Sequence, residues 1–175
     1  IFPTCYAASC CDAFGGRTHQ GSLERMPRRF RSAKSFATIG EGNSSSFERS
    51  KPIFEILGSS SVLCGDIGAG NFTKLANQII VGANIHALSE ALVLTTKAGL
   101  DPETVFNAIK GGLAGSNVMN AKAPMMFNRN FDPGFRIELH LKDITNAIQT
   151  ANELNVPLQV TANLHQVLTS LVLNG

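Results

Sequence analysis

The sequence predicts a mainly α-helical protein: an all-α C-terminal domain around one long central helix, preceded by a remnant β-α-β unit of a parallel sheet. Three observations carry this. Residues 70–98 hold no proline and one interior glycine, Gly82, and are filled with Ala, Leu, Ile and Val up to Gly99. At 1.5 Å per residue that stretch makes a helix of ~43 Å. Four further segments with helical periodicity or caps follow it, and the residues before it read strand, helix, strand.

Ser35-Phe36-Ala37-Thr38-Ile39 alternates as a short strand and is closed by Gly40-Glu41-Gly42-Asn43. Ser44-Ser45-Ser46 then opens a helix whose apolar residues Phe47, Phe54 and Leu57 recur at spacings of 7 and 3, with Ile53 beside them and Gly58 at its end. Ser61-Val62-Leu63-Cys64 is the second strand. One β-α-β unit cannot close a sheet, so residues 35–64 read as the last piece of a larger one. In the long helix, Ala76, Ile79, Gly82, Ala83, Ala87 and Ala91 put small or apolar residues on most sides, so other helices should sheathe it. Asp101-Pro102-Glu103 supplies an N-cap, a proline at the first helical position and a first-turn acid; that helix runs to Gly111-Gly112. Ser116 caps another, expected to stop before Pro124. A fifth spans Ile137–Leu154 with Leu141, Ile144, Ile148, Ala151 and Leu154 on one face. The last starts after Pro157 with Leu164, Val167, Leu168 and Leu171 inward.

Composition narrows the function classes. Of 175 residues, 43% are hydrophobic and 16% charged, with 16 Gly and 7 Pro, which excludes wholesale disorder and fibrous repeats. The formal charge of +2 is unevenly placed: residues 1–34 carry six Lys/Arg against two acids, and the remainder nine against eleven. The arginines from Arg25 to Arg31 read as a solvated tail, and no nucleic-acid partner is expected. No uninterrupted run of about 18 apolar residues occurs, so no membrane span is expected. Cys5, Cys10, Cys11 and Cys64 lack metal-ligand spacing, which suits free thiols in a reducing compartment. With no signal peptide visible, the expected location is cytoplasmic. Residues 1–34 show no periodicity and are left unassigned. The start at Ile1 suggests a truncated or misassembled gene model.

Chemistry concentrates at two places. Asn71, Lys74, Asn77 and Gln78 lie at spacings of 3 and 4 on one face of the long helix, just after the glycine-rich Asp66-Ile67-Gly68-Ala69-Gly70. A lysine there can give a proton to an oxygen or take one away, and Asn77 can hold the same oxygen or a nearby carboxylate. Read on its own, such a lysine more often snorkels to solvent. The second place is Lys142-Asp143, after Phe135, Arg136 and His140. By spacing alone it reads as a surface ion pair. Gly111-Gly112-Leu113-Ala114-Gly115-Ser116 has no P-loop lysine and follows a helix, so it is no nucleotide cradle. His86, His140 and His165 have no metal spacing, and each reads as a core or surface histidine.

The run Gly68-Ala69-Gly70-Asn71-Phe72-Thr73-Lys74-Leu75-Ala76-Asn77-Gln78 resembles the catalytic helix of the β-hydroxyacid dehydrogenases, the 3-hydroxyisobutyrate dehydrogenase family. The longer stretch GGLAGSNVMNAKAPMMFNRNFDPGFRIELHLKD, residues 111–143, is similar within that family to the 2-hydroxy-3-oxopropionate (tartronate semialdehyde) reductases. The resemblance covers residues 35–175. It implies a Rossmann domain followed by an all-α domain whose long helix also builds a dimer, so 35–64 would be the tail of the Rossmann domain and 65–175 the catalytic and dimerisation domain. It implies NAD or NADP as cofactor and a small hydroxy- or oxo-acid as substrate. Lys74 would be the catalytic general acid; Asn77, Gln78 and Gly70 would bind substrate; Lys142, Asp143 and Phe135 would lie at the cofactor. No metal is implied.

The sequence departs from the family in one respect: no strand–GxGxxG–helix precedes these residues, and Cys11-Asp12-Ala13-Phe14-Gly15-Gly16 only echoes a substrate loop. Another short β-hydroxyacid dehydrogenase, or a helical module that only dimerises, stands as the alternative. An oligomer, dimer or tetramer, is expected either way.

Overall fold

The computed structural model describes residues 37–132 and 134–174, so the expectations for residues 1–34 lie outside the described residues, as do Ser35 and Phe36. In chain order the elements are β1 (Ala37–Gly40), α1 (Ser44–Leu57), β2 (Ser60–Leu63), α2 (Ala69–Lys97), α3 (Pro102–Ile109), α4 (Asn117–Phe127), α5 (Ile137–Glu153) and α6 (Gln159–Asn174). The mainly α architecture, with two short strands, is the one the sequence predicts. Two compact units divide the chain between Lys74 and Leu75, inside α2, whereas the sequence put the domain boundary at 64/65.

In the first unit β1 and β2 pair in parallel, from Ala37↔Ser60 to Gly40↔Leu63. The crossover is α1, which packs on both strands. Its start is fixed by Asn43, whose Oδ1 accepts from the N–H of Ser45 at 2.8 Å and of Ser46 at 3.3 Å. Phe47 and Phe54 are buried with ring centroids 5.4 Å apart. Ile53, expected beside them, faces solvent at 45% exposure. Pro52 lies inside α1, on its exposed face, where the carbonyl it leaves without an N–H partner is open to water.

The second unit is organised along α2. Towards its C-terminal end Leu88 and Leu92 pack with Phe106 of α3 and Met119 and Ala123 of α4. Towards its N-terminal end Ile79 packs against Ile144 of α5 and Leu164 and Leu168 of α6. Gly82 lies tight against α5 and α6: a Cβ there would lie 2.6 Å from Leu164 Cδ2 and 3.1 Å from His140 Nε2. The helix interior tolerates glycine at this point because nothing larger fits.

Several expectations need correcting. Helix α4 does not stop before Pro124 but runs through it to Phe127. The proline removes one hydrogen bond in the last turns, while burial of Ala123 and packing of Met126 and Phe127 on the core hold the backbone helical. Leu154 and Leu171, expected inward, are 57% and 53% exposed, because each lies at or near a helix end beyond the reach of a neighbour. The sheath around α2 is incomplete within one chain: Ala76 and Ala87 are exposed, and Ile80, Val93 and Leu94 are 60%, 61% and 72% exposed. Finally, α2 is long and apolar enough to cross a membrane by composition, with a window of mean hydropathy 1.4. Counting uninterrupted runs missed this, since scattered polar residues break each run without lowering the mean. It packs against α3, α4, α5 and α6 over part of its surface, and 17% of that window is buried within this chain.

Candidate active site

The first unit supplies the start of α2. Gly68 adopts φ 101°, a region that favours glycine, and lets the chain turn into the helix. The N–H groups of Gly68 and Gly70 both donate to Glu41 Oε2, at 3.1 and 2.7 Å. A carboxylate on the β1–α1 loop thus satisfies two donors at the helix N-terminus, where negative charge is favoured. Gly70 is buried by this contact; a Cβ there would come within 2.9 Å of Glu41 Oε2. Lys74 follows one turn along the same helix and is half-buried.

The second unit joins α2 to α5. Asn77 is exposed, and its Nδ2 donates to Gln78 Oε1 at 3.3 Å. Gln78 is buried, and its Nε2 donates to Asp143 Oδ2 at 2.9 Å. Asp143 is buried too, and its Oδ1 pairs with Lys142 Nζ at 3.3 Å. The Lys142 side chain stays 60% exposed. From α5, His140 Nε2–H donates to the backbone carbonyl of Gln78 at 3.1 Å, which fixes that nitrogen as the protonated one. Phe135 is 54% exposed and meets the His140 ring edge-on, with centroids 6.3 Å apart. At the start of α5, the Glu138 carboxyl is held below its usual range by its own backbone N–H and by the Arg136 guanidinium.

The structure therefore brings Asn77, Gln78, Lys142 and Asp143 together, although 65 residues separate Gln78 from Asp143, while Phe135 meets His140. Gly70 and Lys74 belong to the other unit, Gly70 against Glu41. By spacing, Lys142-Asp143 looked like surface decoration; in the fold the acid is interior and only the lysine reaches water. Sequence reasoning missed two residues. Glu41 was passed over as part of a turn, although an acid between two glycines was its signal. His140 gave no signal beyond its place three residues before Asp143.

No group of three or more His, Cys, Asp or Glu side chains among the described residues could hold a metal. The strand–turn–helix formed by β1 and α1 offers no open anion cradle, because Asn43 already occupies the N–H groups of Ser45 and Ser46.

Comparison with known proteins fits this arrangement. Residues 68–175 match the family described as the NAD-binding domain of NADP-dependent 3-hydroxyisobutyrate dehydrogenase. The chain is 44% identical over 134 residues to 2-hydroxy-3-oxopropionate reductase of Escherichia coli K12, covering 77% of this chain and 46% of that protein. It is 37% identical over 122 residues to 2-(hydroxymethyl)glutarate dehydrogenase of Eubacterium barkeri, covering 69% of this chain and 40% of that one. The fold matches 3-hydroxyisobutyrate dehydrogenase of Mycobacterium tuberculosis, solved with L-serine, at TM-score 0.73 and 23% identity, over 82% of this chain and 52% of the other. The chain spans about half the length of the curated relatives it matches. The lysine-bearing helix and the Lys142-Asp143 helix both fall inside the matched region, and the chain belongs to the family of 3-hydroxyisobutyrate dehydrogenase NAD-binding domains.

Proposed function

We propose that this chain is the lysine-bearing helical part of an NAD(P)-dependent reductase of short β-hydroxyacids, acting on 2-hydroxy-3-oxopropionate to give glycerate. The observation that carries the proposal is the Gln78–Asp143 bond of 2.9 Å, which joins the part of α2 that bears Asn77 to the helix of Lys142. The similarity to a 2-hydroxy-3-oxopropionate reductase at 44% identity supports that substrate over 3-hydroxyisobutyrate.

The residues of α5 and Phe135 just before it suit a nicotinamide dinucleotide. Lys142 offers an ammonium to an anionic group, and Asp143 beneath it keeps that ammonium in place. Phe135 offers an exposed ring face for an aromatic heterocycle. The cofactor, when bound, supplies hydride to the substrate's carbonyl carbon. Lys74 donates a proton to the carbonyl oxygen, so that aldehyde, hydride and proton together give the primary alcohol. Asn77 holds the substrate by its exposed amide. Gln78 contributes from beneath, since its amide is already engaged on both sides.

A module that only dimerises is the second reading, favoured by the exposed Ile80, Val93 and Leu94 on α2. That face also supports a homo-oligomer under the first reading. Replacing Lys74 by alanine separates the two. Turnover of 2-hydroxy-3-oxopropionate with NADH or NADPH should fall at least about 100-fold, a usual size for a lost general acid, while the mass by light scattering stays the same. Wild-type protein with no turnover on any short β-hydroxyacid would leave the dimerisation module.

A further inference from the structure

We infer that Gln78 is a positioning residue, which through the buried carboxylate of Asp143 fixes the ammonium of Lys142 and through its own side-chain carbonyl holds Asn77. The inference rests on the proposal that Lys142 meets the cofactor.

Both ends of the Gln78 amide are in use: Nε2 donates to Asp143 Oδ2 at 2.9 Å, and Oε1 accepts from Asn77 Nδ2 at 3.3 Å. A carboxylate at a helix surface pivots freely, but Asp143 is 4% exposed and anchored at Oδ2. Since the group is planar, fixing one oxygen fixes the direction of the other. Oδ1 is the atom 3.3 Å from Lys142 Nζ. Lysine is a long, rotamer-rich side chain, and holding its head group in advance removes part of the ordering cost of binding an anion. The main chain of Gln78 is held as well, by the His140 Nε2–H bond at 3.1 Å, so side chain and backbone of one residue both fasten α2 to α5. Among the described residues no buried side-chain polar atom lacks a partner, and removing the Gln78 amide takes away the 2.9 Å contact to Asp143 Oδ2.

The test uses the full chain. Wild type, Gln78→Met, Asp143→Asn, Lys142→Ala and the double variant Gln78→Met/Lys142→Ala are titrated with NADPH and NADH by nicotinamide fluorescence. Side-chain amide spectra by nitrogen-15 NMR are recorded in parallel. Methionine keeps the length and volume of glutamine and removes only its hydrogen bonds. Gln78→Met and Lys142→Ala should each weaken binding by about three- to tenfold, and the double variant should bind no more weakly than Lys142→Ala alone. The Gln78 amide of wild type should exchange slowly with water. Asp143→Asn should keep that slow amide while losing affinity, and it carries the test if Gln78→Met does not fold.

Full additivity in the double variant overturns the inference, as does unchanged affinity in Gln78→Met or Asp143→Asn while Lys142→Ala is weakened; either result leaves the proposed function standing. A Gln78 amide that exchanges as fast as an exposed one overturns the inference whatever the cofactor does. Cofactor binding that is absent in wild type, or unchanged in Lys142→Ala, overturns the reading of Lys142 and this inference with it.

Discussion

Replacing Gly82 by alanine adds one methyl group where α2 lies tight against α5 and α6, and two opposing effects set the outcome. Alanine is the better helix former in a helix interior, by about 1 kcal/mol. Against this, the new Cβ would lie 2.6 Å from Leu164 Cδ2 and 3.1 Å from His140 Nε2. Leu164 is 3% exposed and packed with Ile144, so it can yield only by shifting the α5–α6 core. His140 cannot retreat without stretching its 3.1 Å bond to the Gln78 carbonyl. Overpacking of this kind costs about 1–3 kcal/mol, and a weakened hydrogen bond adds about 1 kcal/mol. The net expectation is a destabilisation of about 1–3 kcal/mol, and for a chain of this size a Tm lower by about 2–12 °C. Thermal and urea unfolding followed by far-UV circular dichroism measure both quantities. A Tm equal to or above that of wild type would refute the reasoning, since it would mean that helix propensity wins and the contact is loose.

Glu41→Ala removes the carboxylate that accepts from Gly68 and Gly70, and should cost about 1–2 kcal/mol in urea unfolding, with faster amide exchange at those two glycines; unchanged exchange there would show that water replaces the acid without loss. Asp101 gives a pH signature. The Thr104 hydroxyl and then its backbone N–H hold the Asp101 carboxyl below the usual carboxylate range. A carboxyl whose pKa is lowered on folding adds stability above its unfolded pKa, and that contribution disappears as pH falls through the folded value. Asp101→Ala should therefore be less stable than wild type at neutral pH, and the gap should narrow as the pH falls below the ordinary carboxylate range. A gap that is constant with pH would assign the effect to helix propensity alone.

The helices were legible from sequence because they depend on local signals. Asp101-Pro102 and Ser116 cap as they read, and the 29 residues of α2 match the predicted stretch shifted by one residue. The parallel β-α-β unit was legible too, from alternation on either side of one amphipathic segment. What periodicity misplaced lay mostly at helix ends: it ranked Leu154 and Leu171 as core because it counts angle and not the extent of the neighbouring helix. A proline in α4 was read as a stop, although burial of Ala123 and the contacts around it outweigh one missing hydrogen bond.

For the candidate site, the sequence by itself determined which side chains stand on which helix face. Lys74, Asn77 and Gln78 follow from the helical repeat, and the family resemblance singled out Lys142 and Asp143. Only the tertiary structure decided their partners. Nothing within a few residues of Asp143 predicts that it is interior or that Gln78 is its donor, because that bond joins positions 65 residues apart. Glu41 is the same case, reaching Gly68 and Gly70 across 27 and 29 residues. Helix formation is governed by contacts within four residues, which a sequence displays directly. Burial of a carboxylate and the direction of an amide are set by which distant helix comes to lie against it, and they exist only once the chain has packed.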